Sequence, residues 1–103
     1  MKLFRSKYLP PREQPWFNDP DAEKPMAHIN DVYDVVCDHP TAGFSVTEIV
    51  YELYGELNQK DVETVYNRTR NQLYLLRNNG YLRNVKTRCK PCYINYWFAG
   101  EKQ

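Results

Sequence analysis

Seven prolines divide this 103-residue chain unevenly. Pro10, Pro11, Pro15, Pro20 and Pro25 fall in the first 25 residues, and only Pro40 and Pro91 follow. Proline lacks an amide hydrogen and disfavours helix in the residue before it, so no regular helix fits before residue 26 or across residue 40. The chain therefore reads as an extended arm over residues 1–25 and one folded domain over residues 26–103. A single small domain is also what this length accommodates. Phe4, Tyr8, Trp16 and Phe17 give the arm too much apolar surface for a solvated tail, which predicts that it packs on the domain or on a partner.

Past the arm, apolar residues recur at helical spacing. From Met26, Ile29, Val32, Tyr33, Val36 and Cys37 share one face of a first helix, with Asp31, Asp34 and Asp38 opposite; it stops before Pro40. Phe44 opens a short strand. Ser45 and Glu48 then form an S-x-x-E capping box ahead of a second helix that turns Ile49, Val50, Leu53 and Tyr54 inward and ends at Gly55. A third, longer helix begins between Asn58 and Asp61, buries Val62, Val65, Tyr66, Thr69, Leu73 and Leu76, and ends at Asn79-Gly80. The β-branched and aromatic runs "YLRNVKTR" and "YINYWFA" read as two strands joined by a turn at "CKPC".

This order, together with "FSVTEIVYEL" and the L-x-x-L-x-x-x-G-x-L signal at Leu73, Leu76, Gly80 and Leu82, resembles the winged helix-turn-helix family over residues 26–100. The resemblance implies an α+β fold with three helices and a C-terminal β-hairpin wing. It also implies double-stranded DNA as partner, the third helix entering the major groove and the wing touching the backbone. Most such stand-alone domains bind as homodimers and act as small transcriptional regulators; they are frequent in viruses, plasmids and archaea. "LYLLRNNGYL" with Pro91 and Trp97 is also similar to the Z-DNA-binding branch of that family. Arg70 departs from it, standing where that branch has Asn, and the wing has one proline where that branch has two.

Charge is segregated along the chain although the total is only +1. Residues 1–12 hold four basic residues and no acid, residues 13–63 hold twelve acids against Lys24 and Lys60, and residues 64–100 hold seven basic residues and no acid. One sign of charge over so long a stretch suits a polyanionic partner. Opposite the buried stripe of the third helix lie Thr64, Asn67, Arg68, Asn71, Tyr74 and Asn78, flanked by Arg70 and Arg77. Asn pairs bidentately with adenine and Arg with guanine, so Asn67, Arg68 and Asn71 are candidate base readers, with Tyr74 beside them. Lys60, Thr64 and Arg70 are candidate phosphate contacts, as are Arg83, Lys86, Arg88 and Lys90 in and beside the wing. Asparagine is a poor helix former, and a merely solvated face would use Glu or Lys instead.

Other classes of function find less in the sequence. There is no Ser-His-Asp set, glycine-rich phosphate loop or metal-spaced carboxylate pair, so no enzyme and no cofactor is expected. Cys89-x-x-Cys92 supplies half of a zinc site, and its only further ligands would be Cys37 and His39, so free or reversibly oxidised thiols are the expectation. His28 and His39 read as surface residues at the ends of the first helix. No apolar run is long enough to span a membrane and no signal-peptide stretch opens the chain, which together predict a soluble, cytoplasmic protein. Leu75, on the outward side of the third helix, and the aromatic arm are candidate dimer contacts. The alternative reading is a protein-interaction winged helix whose acidic face, Asp19 to Glu63, docks a partner or mimics nucleic acid.

Overall fold

A computed structural model of the chain describes residues 11–39, 42–87 and 94–100. The expectations for residues 1–10, Arg88, Cys89, Lys90, Pro91 and Cys92 lie outside these. Helix α1 spans Ile29–Cys37, three residues later than the sequence pattern suggests. The cause is His28, whose Nδ1 accepts from the Asn30 amide at 3.1 Å while the Asp31 carboxylate accepts from the His28 amide at 2.9 Å. This capping box stops the helix from extending backward. Val32, Tyr33 and Val36 are its buried face, with Ile29 and Cys37 half-buried beside them.

Helix α2 (Val46–Tyr54) starts at the expected box: Ser45 Oγ accepts from the Glu48 amide at 3.2 Å, and Glu48 Oε1 accepts from the Ser45 amide at 3.1 Å. It buries Val46, Ile49, Val50, Leu53 and Tyr54. Gly55 ends it at φ 69°, in a region that L side chains rarely occupy. Helix α3 (Gln59–Asn78) begins at Asn58, whose side chain accepts from the Asp61 amide at 3.0 Å. At 20 residues it is about 30 Å long.

Helix α3 buries Val65, Thr69, Leu73 and Leu76 as expected, but Val62 (44% exposed) and Tyr66 (37% exposed) face outward. Residues 59–64 are all exposed, so the first turns of α3 run clear of the core and the apolar stripe engages it from Val65 onward. The helix ends in a Schellman motif: the Gly80 amide donates to the Arg77 carbonyl and the Tyr81 amide to the Leu76 carbonyl, both at 2.9 Å, with Gly80 at φ 83°. The buried Tyr81 ring then meets Tyr33 edge-on at 5.7 Å, which fixes where the hairpin leaves the helix.

Strands β1 (Leu82–Lys86) and β2 (Asn95–Ala99) pair antiparallel, with Leu82 opposite Ala99 and Lys86 opposite Asn95. Phe44 adds a single bridge on the other edge of β2, exchanging bonds of 3.0 and 2.7 Å with Trp97. Trp97 is fully buried, so the hairpin is held by its second strand against the helices. The chain is thus α+β, with three helices followed by an antiparallel hairpin, a layout compatible with a winged helix.

Residues 11–25 are folded onto α2. The sequence reading of a wholly extended arm does not hold here, because Pro11–Glu13 forms one 3-10 turn and further turns follow to residue 22. Phe17 is 3% exposed, meets Tyr51 edge-on at 5.4 Å, and its carbonyl accepts from the Glu56 amide at 2.9 Å. Arg12 pairs with Glu52, whose hydrogen bond and charge push the guanidinium pKa up. Lys24 Nζ donates to the carbonyls of Tyr54 (2.7 Å), Phe17 (3.5 Å) and Glu56, capping the end of α2. Desolvation there lowers the Lys24 pKa.

Candidate nucleic-acid interface

The outward side of α3 separates into three strips, set by the 100° step of the helix. Lys60, Thr64, Asn67 and Asn71 occupy the centre and are all exposed. Neither the Asn67 nor the Asn71 side chain makes a hydrogen bond to another described residue. Asn78, at the far end of the strip, accepts from Arg77 at 3.4 Å.

The second strip faces α1. Arg68 Nη2 and Gln72 Nε2 both donate to the Ala27 carbonyl, at 3.3 and 3.2 Å, tying α3 to the segment that precedes α1. Arg68 is exposed as a residue, yet one of its guanidinium nitrogens is already engaged. Leu75, 55% exposed, lies between this strip and the centre.

The third strip faces the hairpin. Tyr66, Arg70, Tyr74 and Arg77 form a ridge at spacings of four, four and three residues. Tyr74 is half-buried: its ring meets Trp97 edge-on at 5.3 Å and carries the Arg77 guanidinium 4.6 Å from its centroid. Arg77 also donates to Asn84 Oδ1 in β1 at 3.3 Å. Arg70 is exposed, and no hydrogen bond or ion pair joins its guanidinium to another described residue.

On the hairpin, Arg83 stacks over Phe98 at 4.7 Å, which holds its charge against the outer face of the two strands. Lys86 is exposed at the end of β1. Asn84 and Asn95, on the inner face, are joined by a 3.2 Å bond that continues the polar line from Arg77.

A cleft of about 300 Å³ opens between the ridge and the hairpin. Ser45, Val46 and Thr47 of the α2 start form one wall, and Ile94, Asn95 and Trp97 form another. Tyr66, Arg70 and Tyr74 close the third side. The Trp97 indole nitrogen is buried and meets no acceptor among the described residues. Sequence periodicity missed this site because Tyr66 fits the edge of the buried stripe as well as it fits the ridge. The one available signal was Tyr66 at four residues from Arg70 and eight from Tyr74.

These features define an α+β domain whose third helix, free of acidic residues from Thr64 onward, carries an exposed asparagine- and arginine-bearing face beside a hairpin. Comparison with protein-family models, curated proteins and solved structures finds no match to the chain. No helix among the described residues is long and apolar enough to cross a membrane.

Proposed function

We propose that the protein binds double-stranded DNA, with α3 in the major groove and the hairpin on the sugar-phosphate backbone, and that it acts as a small transcriptional regulator by occupying its site. The observation that carries this reading is the centre of α3. Asn67 and Asn71, one turn apart, present amides with no partner among the described residues, flanked by Arg70 and Lys60. Bidentate amide–adenine pairing requires such free side chains on an exposed helix face. In this reading Arg70, Arg83 and Lys86 contact phosphates, and Arg88 and Lys90 extend the same basic run in the sequence. Arg68 and Tyr74 take supporting positions in this scheme, because each already has an intramolecular contact. Leu75, one turn beyond Asn71 and largely exposed, is the proposed contact for a second copy on a palindromic site.

Selection of bound sequences from random duplex DNA, followed by titration of the selected site, tests the reading. Asn71→Ala is expected to weaken binding by about 1–3 kcal/mol and to relax preference at one base pair. Arg83→Ala is expected to weaken selected and unrelated duplexes alike and to flatten the dependence of log affinity on log salt by about one unit. Equal binding of all duplexes by both variants and the parent would refute base reading by α3.

A further inference from the structure

Besides Arg70, the cleft next to α3 holds groups to which duplex binding gives no role. Tyr66 is exposed, and Ile94, 40% exposed and immediately before β2, lines the same cleft. Arg70 brings a positive charge without a carboxylate partner among the described residues. In the first turn of α2 the capping box engages the amides of Ser45 and Glu48, which leaves those of Val46 and Thr47 as donors without an intrahelical acceptor. Asn95 Oδ1 accepts from the Asn84 side-chain amide, and the Asn95 side-chain amide donates to no described residue. The buried Trp97, part of the same lining, has an indole N–H with no acceptor among the described residues.

A phosphate alone would use Arg70 and the helix amides but not the aromatic and aliphatic walls. A paired base could not enter, since its edge is hydrogen-bonded and its faces are stacked. An unpaired nucleotide satisfies both halves: its ring has a π-face for Tyr66 and Ile94, and its phosphate is an anion for Arg70 and the α2 amides. The volume of about 300 Å³ lies at the lower end of the range for small-molecule sites, which suits one nucleotide and not a longer segment. The geometry points to a nucleotide-sized subsite, in which an unpaired nucleotide of the bound nucleic acid inserts between α2, α3 and the hairpin. This rests on the nucleic-acid reading above and deepens it, because the preferred target becomes a duplex with one unpaired nucleotide.

Two fluorescein-labelled duplexes, identical except for a single extra unpaired thymidine in one, provide the test by anisotropy. The unpaired thymidine is expected to raise affinity about tenfold, within the range that base–aromatic stacking supplies. Tyr66→Ala and, independently, Ile94→Ala should each remove most of that gain and leave the fully paired duplex unaffected; Tyr66→Phe should retain it. Equal affinity for the two duplexes, or a gain that survives both alanine variants, would overturn the subsite while leaving duplex binding by α3 standing. Failure of both duplexes to bind would overturn the subsite together with the reading on which it rests.

Discussion

Replacing Phe17 by alanine tests whether residues 11–25 belong to the folded unit. The ring is 3% exposed, packed edge-on against Tyr51 and lying in the space that Gly55 leaves free: a Cβ at residue 55 would come within 2.8 Å of it. Truncating a buried Phe costs about 3–5 kcal/mol, including an edge-to-face pair worth about 0.5–1.5 kcal/mol. The polar ties of this segment survive the change, since the Phe17 carbonyl still accepts from Glu56, Lys24 still caps α2 and Arg12 still pairs with Glu52. The cost therefore falls at the low end, about 3 kcal/mol. For a domain of this size each kcal/mol shifts the melting midpoint by about 4–8 °C, so a loss of about 12–24 °C is expected by circular dichroism. That is a large part of the roughly 5–15 kcal/mol that holds a typical domain. Duplex binding measured well below the new midpoint should be unchanged, because Phe17 lies against α2 and away from the α3 face. A drop of less than about 4 °C would refute the reasoning and make the segment an accessory rather than a structural part.

Gly55→Ala should destabilise by more than about 1 kcal/mol, since it places a side chain at φ 69° and against the Phe17 ring; urea unfolding measures it, and an unchanged midpoint would show that the α2 terminus relaxes freely. Lys24→Met should lower the melting midpoint by several degrees by leaving the Tyr54 and Glu56 carbonyls uncapped, whereas Lys24→Arg should recover part of the loss. Tyr33 has its phenol pKa pushed up to about 12, first by burial and then by its hydrogen bond with Cys37. A raised folded pKa means that its contribution is complete below pH 10 and is lost as pH rises toward 12, so the wild-type protein should lose stability across that window relative to Tyr33→Phe. Parallel melting curves for the two proteins from pH 9 upward would contradict this.

How much of this was readable beforehand differs by element, for physical reasons. The box at Ser45 and Glu48, the glycine stop at residue 55 and the Asn79-Gly80 terminus are local devices, written within a few residues, and each appears where the sequence put it. The short strand expected at Phe44 is reduced to a single bridge to Trp97, since a one-residue pairing has no periodicity from which to read its length. The start of α1 shifted because histidine is an uncommon cap, and only its bond to Asn30 reveals the role. The exposure of Val62 and Tyr66 could not be read, because a wheel assigns faces but not how far along the helix the core reaches. The anchoring of the arm was open for a related reason: Phe17 shows its burial only once Gly55, 38 residues away, is folded beneath it. The cleft needs three elements from distant parts of the chain and carries no local signature.

The segregation of charge acquires a partial structural account from the same contacts. Asp31 and Glu48 accept amide bonds at the starts of α1 and α2, Asp61 lies in the first turn of α3, and Glu52 holds Arg12. Carboxylates are favoured at helix N-termini by the exposed amides and the helix dipole. All three helices begin before residue 62, so a share of the acidity of residues 13–63 follows from where helices start. No equivalent explanation covers the other half. Among the described residues, Arg68, Arg70, Arg77 and Arg83 meet no carboxylate; they contact a carbonyl, amide oxygens or aromatic rings, or in the case of Arg70 nothing. These arginines are what contacts within the fold do not neutralise, and the nucleic-acid partner proposed above would account for them.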